Sequence, residues 1–545
     1  MWARNLLFVA VCIGGTALLL PLLVPQPEGA AKPEVARPAD ASQASDFQVS
    51  VAVVNAAFRR QWLAQGIEPA ERGSDHTIAR RMSLALAGTI PSLQELRRFE
   101  AQPAEGRLAN WLDDLLADRR SSDFVAERLA RALVGVQDGP FLIYRRRRFV
   151  SWLADELQAN RPYDQIVRRL IAEEGLWTDH PATNFITVTV KPDSDEGPDA
   201  NVLAARVSRA FLGVRLDCAE CHDHPFRSWK QSDFQSLAAF FGQTRQTFTG
   251  IRDRVGEFEV ESAATGETCV VAPAVPFAAE LLPSSGERRE RLASWITHPK
   301  NDALARVTVN RAWAILFGRP LVEPVDDIPR DDELPEVLRL LADDFIAHRF
   351  DWRRLLAVIA STEAYQLDSR HPSADAADGA LWRRIDAAWA VFPITRLRPE
   401  QVVGSVLQSA SLRTIDHQSH ILVRFARAIG QREFVERYGD AGEEEFLPQG
   451  GTIPQRLLLM NGDLVREKTK DSLLGNAASQ IATLAPDDKT AIEVAYLSCL
   501  TRRPTAEESA HFQTRLQETG DANRRERLGD LYWSLINSTE FSWNH

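Results

Sequence analysis

Residues 218–226 read Cys218-Ala-Glu-Cys-His-Asp-His-Pro-Phe226, and the reading of the rest of the chain depends on them. Two thiols three positions apart, followed at once by an imidazole, form the pattern that attaches c-type haem. On a helical turn Cys218 and Cys221 lie on one face, so both sulfurs can reach the two vinyl groups of one porphyrin. His222 then sits where a ring nitrogen can ligate the iron. Two other readings use the same atoms. Cys218 and Cys221 could close a disulfide or act as a redox pair. They could instead join His222 and His224 in a zinc or iron site, a cramped one because all four ligands fall within residues 218–224. His222 is therefore the main candidate metal ligand and His224 a further one. Asp217 and Asp223 flank the motif; they could orient His222 through its other ring nitrogen, coordinate a hard metal, act as acid and base, or stand in solvent. The other cysteines are isolated. Cys12 lies in the apolar N-terminal run, and Cys269 and Cys499 read as small buried hydrophobes.

Outward from the motif, apolar residues fall at helical spacing over 125–134, 147–159, 163–173, 200–212 and 232–241. The last of these carries Phe234, Leu237, Phe240 and Phe241, which could wall a flat ligand or pack on ordinary core. Gly88 closes an earlier helix, and Ser92 with Glu95 forms a capping box for the next. Between 246 and 285 the pattern changes. Gly256-Glu-Phe-Glu-Val-Glu261 and Thr268-Cys-Val-Val-Ala272 alternate or are β-branched, with Gly266 between them, which predicts a hairpin. Pro273, Pro276, Pro283 and Ser284-Ser-Gly286 mark a linker, and helices resume at Arg288.

Composition and charge set the frame. A chain of 545 residues, 44% hydrophobic and 26% charged, is too long for one core. A formal charge of −11 argues against nucleic-acid binding. The run Arg145-Arg-Arg-Arg148 lies in a helical pattern with Phe149, Trp152 and Leu153, and reads as a solvated or acid-paired face. At the N-terminus, residues 6–24 carry no charge and follow Arg4, the length of a long signal peptide or of one spanning helix. The positive end puts the N-terminus inside and the body outside. The expectation is a single-pass protein of the cell inner membrane with its body on the periplasmic side, or a secreted one if the segment is cleaved.

The motif and its surroundings together resemble a known family. Cys218 to Phe226, with Trp229 and Leu237-Ala-Ala-Phe-Phe241, is similar to the signature of the planctomycete cytochrome-like domain of the second type. Arg80-Arg-Met-Ser-Leu-Ala-Leu-Ala-Gly88 and Pro162-Tyr-Asp-Gln165 resemble its other recurring strings. Arg291-Leu-Ala-Ser-Trp295, Val309-Asn-Arg-Ala-Trp313, Phe317-Gly-Arg319 and Leu321-Val-Glu-Pro-Val-Asp-Asp327 resemble its usual partner, a second uncharacterised planctomycete domain. Ala364-Tyr-Gln366, Leu459-Met-Asn-Gly462, Arg502-Arg-Pro-Thr505 and Asn537-Ser-Thr-Glu-Phe541 continue that match. The resemblance implies two domains of unknown function, and a cytochrome-like character that rests on the CxxCH string. Two stretches depart from the family pattern: 328–335, and the region from Gly135 to Tyr144.

The expected architecture is mainly α: two helical domains joined by a small β-hairpin-containing segment, behind an N-terminal membrane anchor and a disordered tether. The limits are 1–24 for the signal peptide or anchor, 25–47 for the Pro/Ala-rich tether, 48–245 for the helical domain with the motif, 246–287 for the connector and 288–545 for the C-terminal domain. The leading functional expectation is c-type haem on Cys218, Cys221 and His222, serving a redox role with a partner protein in the cell envelope. A non-haem metal-binding or scaffold protein, with zinc or iron, is the alternative, and a metal-assisted hydrolase of extracellular polymers comes after it. A sixth ligand is not evident. Met82 and Met460 sit among leucines and read as core, although the turn beside Met460 leaves a ligand role open. His298, His417 and His420 read as surface or satisfied core residues. Glu323, Asp326 and Asp327 could bind a cation or engage Arg311, but caps and salt bridges are the plainer reading. No phosphate loop, G-x-S-x-G elbow or H-E-x-x-H is present, so no motif supports an NTPase, esterase or zinc protease.

Overall fold

The computed structural model describes residues 41–136, 144–190, 197–261, 266–330, 334–372, 379–416, 446, 452–469, 476–517 and 524–545. The expected anchor at 1–24 lies outside the described residues. Among those described, no helix is long and apolar enough to cross a membrane.

Helices dominate, for the reasons legible in their spacing. The first among the described residues, Ala41–Gln65, starts inside the segment expected to be tether. Val51, Val54, Phe58 and Trp62 recur every three or four positions along it and are all buried. Helix Asp75–Ala87 ends at Gly88 in the left-handed conformation, and helix Leu93–Glu100 opens on the Ser92–Glu95 capping box, as their sequences predict. Helix Arg119–Val134 lies along Arg146–Gln158. In the basic run, Arg146 is paired with Glu127 at 2.7 Å, while Arg147 and Arg148 are exposed.

The apolar packing does not follow the expected division at 246–287. Helix Ala41–Gln65 lies against Glu336–Ala347 and Trp352–Ala360, and Asp75–Ala87 against Ala303–Phe317. One core therefore runs from Val51 through Trp313 to Phe392, with segments from both sides of the connector. A second core gathers Leu397 to Phe541, together with Leu84 and Ile90 from the N-terminal half. The two meet closely: a Cβ on Gly404 would lie 2.4 Å from the Gly88 carbonyl oxygen, so helix Pro399–Ser409 needs glycine there.

Among the described residues, three two-stranded antiparallel ribbons complete the fold. β1 (Thr244–Thr247) pairs with β2 (Gly250–Asp253), β3 (Phe258–Glu261) with β4 (Thr268–Val271), and β5 (Thr395–Arg396) with β6 (Trp543–Asn544). The β3–β4 hairpin is the one its alternation predicts. Cys269, expected to be buried, is exposed on β4, because among the described residues nothing covers that strand of the two-stranded ribbon. Cys499 is buried as expected, and burial pushes its thiol pKa well up.

Candidate haem-attachment site

Helix Ala200–Val207 leads into the motif. Asp199 caps it by accepting from the amides of Asn201 and Val202. The helix then widens into a π turn, Ser208–Leu212, and stops at Gly213 with φ of 63°. Gly213 is wedged against the C-terminal half: an added Cβ would lie 3.1 Å from Val307 Cβ and 3.4 Å from Ile328 Cδ1. The Ile328 amide donates to the Gly213 carbonyl at 2.7 Å. Arg311 donates to the carbonyl of Ala210 at 3.2 Å, and so does not serve the acidic string.

A short 3-10 turn, Leu216–Ala219, follows. It buries Leu216 and Ala219, which leaves Cys218 facing solvent. The regular turn ends before Cys221, so the expectation that one helical turn carries both thiols is corrected. His224 precedes a proline, a position biased away from helix, and the loop runs on as bends to Lys230. Both Cys218 and Cys221 are free thiols and both are exposed.

The two histidines have opposite tautomers. His222 Nδ1 lies 2.8 Å from the backbone oxygen of Asp223. A carbonyl can only accept, so Nδ1 carries the proton and Nε2 of the neutral ring keeps its lone pair. His224 Nδ1 instead accepts from the amides of Phe226 and Arg227, both at 3.1 Å. Its neutral ring therefore carries the proton on Nε2. The His224 amide also donates to the Trp229 carbonyl at 2.9 Å. His224 thus staples the loop, and His222 is the one of the pair with a free basic nitrogen. Among the described residues, no three His, Cys, Asp or Glu side chains group so as to hold a metal ion.

The carboxylates beside the motif hold the chain rather than the imidazole. Asp223 Oδ1 accepts from the Gln231 amide at 2.9 Å, and Gln231 Nε2 donates to the Glu220 carbonyl at 3.1 Å. Asp217 pairs with Arg209, and this contact is the main cause that raises the Arg209 pKa. Asp326 accepts from Arg215 at 2.8 Å and lies 3.5 Å from Arg209; Asp327 lies 3.7 Å from Arg227. The acidic string therefore makes salt bridges, the plainer of its two readings. Arg209, Arg215 and Arg227 carry no signal in the sequence for these contacts, since Asp326 and Asp327 lie 100 to 117 positions further along the chain.

Aromatic residues flank the loop unequally. Trp229 is half-buried 6.4 Å from the Phe277 ring, which in turn lies 5.0 Å from Trp295. Phe226 is 89% exposed. Helix Gln231–Ala238 and the 3-10 turn Ala239–Phe241 bury Phe234, Leu237, Phe240 and Phe241 in the core. Of the distant candidates, Met82 is buried core and Met460 is exposed, its carbonyl accepting from Trp533. His298 takes the Lys300 amide in a turn, and His417 and His420 lie outside the described residues.

Residues 53–246 match the family model described as PSCyt2, a protein of unknown function (DUF1549), and residues 288–424 match PSD1, a protein of unknown function (DUF1553). No curated protein and no solved structure matches the chain.

Proposed function

From a chain that belongs to these two paired families of unknown function, the first of them cytochrome-like by name, we propose a c-type haem protein with a redox role in the cell envelope. Cys218 and Cys221 would carry the thioethers and His222 Nε2 would ligate the iron. Bound there, a haem would supply one-electron chemistry at its iron. The observation that carries the reading is the donor set: two free, solvent-facing thiols beside an imidazole whose Nδ1 proton is committed to a backbone carbonyl. That hydrogen bond fixes the tautomer and the ring orientation, the usual support for a histidine ligand. The open position of the loop also suits exchange with a redox partner protein. The charge-free segment at 6–24 supports export of the body, anchored at the inner membrane or released.

The test is optical. The full chain is produced in a bacterial host able to attach c-type haem, then examined by pyridine haemochrome and by peroxidase staining after denaturing electrophoresis. The proposal predicts colour that stays on the denatured band and disappears when Cys218 and Cys221 are both changed to Ala. A colourless band holding stoichiometric zinc or iron would overturn it in favour of the non-haem alternative.

A further inference from the structure

We infer that Asp326 and Asp327, in the second family segment, are positioning residues for the thiol loop of the first, so that the attachment site is built by both segments together. The functional meaning of this inference rests on the haem reading; its geometry does not. Three guanidiniums reach the acidic pair from the two ends of the loop. Arg209 and Arg215 precede Cys218, and Arg227 follows His224. Arg209 also holds Asp217, the residue next to Cys218, so one cation joins the start of the motif to Asp326.

The acidic pair is itself anchored. Asn310, on helix Ala303–Phe317, accepts from the Val322 amide at 3.0 Å and donates to the Val322 carbonyl at 2.8 Å and the Val325 carbonyl at 3.4 Å. One position past the pair, Ile328 makes the backbone bond to Gly213. The exposed loop is thus clamped at its entry by a backbone bond and two ion pairs, and at its exit by a third. Each ion pair is part-exposed and weak alone. Acting together on one short loop, they fix the direction in which Cys218, Cys221 and His222 face.

The test uses the full chain with Asp326→Asn and Asp327→Asn combined. In the haem-free form, trypsin cleavage after Arg215 and Arg227 should become about tenfold faster, the mark of local opening. Cys499 should stay protected from alkylation and Cys269 should react as before, showing that the rest of the fold stands. In the haem-attaching host, the fraction of chain loaded should fall several-fold and the histidine–iron absorption should shift, while Asp326→Glu alone should keep both near the parent. Parent-like cleavage together with parent-like loading would overturn the inference. If the double variant exposes Cys499, Arg227→Gln, which removes only the contact to Asp327, is judged by trypsin cleavage after Arg215 alone and by the fraction of chain loaded. If the parent takes up no haem, the haem reading fails and the cleavage measurement alone decides the clamp.

Discussion

In the neutral rings the proton sits on Nδ1 of His222 and on Nε2 of His224, and this difference separates the proposed ligand from a staple of the loop. His222→Ala is expected to remove histidine ligation, seen as a changed iron absorption spectrum with haem still on the thiols. His224→Ala should leave that spectrum unchanged and instead hasten protease cutting of the loop; the reverse pattern would refute the assignment. Gly213→Ala tests the seat of the loop. A left-handed non-glycine residue costs roughly 1–2 kcal/mol, and the crowding of Val307 adds to it. A lowered denaturation midpoint is expected, and an unchanged one would contradict the packing. At this scale the sequence was informative where residues are neighbours. The thiol–imidazole string is contiguous and could be read directly. The tautomers could not, because they depend on backbone atoms the fold brings in. The burial expected of Cys269 does not hold, because it depends on whether anything covers a ribbon.

Helices were legible as elements because their apolar period and end signals are local. Gly88, Ser92 and Glu95 mark a stop and a start within a few positions, and all three behave so. The β1–β2 hairpin gave no signal, since its strands are polar and Ile251 is their only buried large apolar residue. The apolar spacing over 200–212 predicts continuous helix, whereas 208–212 is a π turn, whose apolar spacing differs little from that of an α-helix. Two contacts between elements carry predictions. Glu400, on helix Pro399–Ser409, is buried against Arg128 and Arg131 of helix Arg119–Val134. Breaking a buried ion pair strands a charge, so Glu400→Gln should cost about 3–5 kcal/mol in urea unfolding; a loss under about 1 kcal/mol would mean the network is solvated. Near the C-terminus, hydrogen bonding to Arg502 lowers the Glu508 pKa from 4.5 to about 2. A depressed carboxylate stabilises the fold above its unfolded pKa and loses that contribution as pH falls through the folded one. Helix Ala506–Gln517 and the short helix Thr539–Ser542, joined through Arg502 between Glu508 and Glu540, should therefore loosen between about pH 4.5 and 2. Glu508→Gln should flatten that part of the acid titration followed by hydrogen exchange.

Across the whole molecule, the two family segments share a core. Trp62 and Phe58 pack with Trp313 and Phe392 in one cluster, across the sequence boundary that composition suggests. The connector is visible in sequence as a change of pattern, whereas the interleaving of helices is long-range and leaves no local mark. Two buried arginines carry the tie further. Arg80 donates to the carbonyls of Cys499 and Phe541, and Arg81 to those of Tyr365 and Leu367. Burial lowers both their pKa values to about 10, still far above neutrality, so both remain charged. Residues 41–245 produced alone should accordingly show no cooperative unfolding, and mixing them with 288–545 should be needed to recover it. A sharp, independent transition in the isolated piece would contradict the shared core.

A haem bonded to the protein at one place leaves its mass on one peptide. Peptide mass analysis of the chain purified from a haem-attaching host should find a single haem adduct, on the fragment containing Cys218 to His222, with Cys269 and Cys499 unmodified. That fragment recovered with both thiols free, from a host that loads a control cytochrome c, would contradict it.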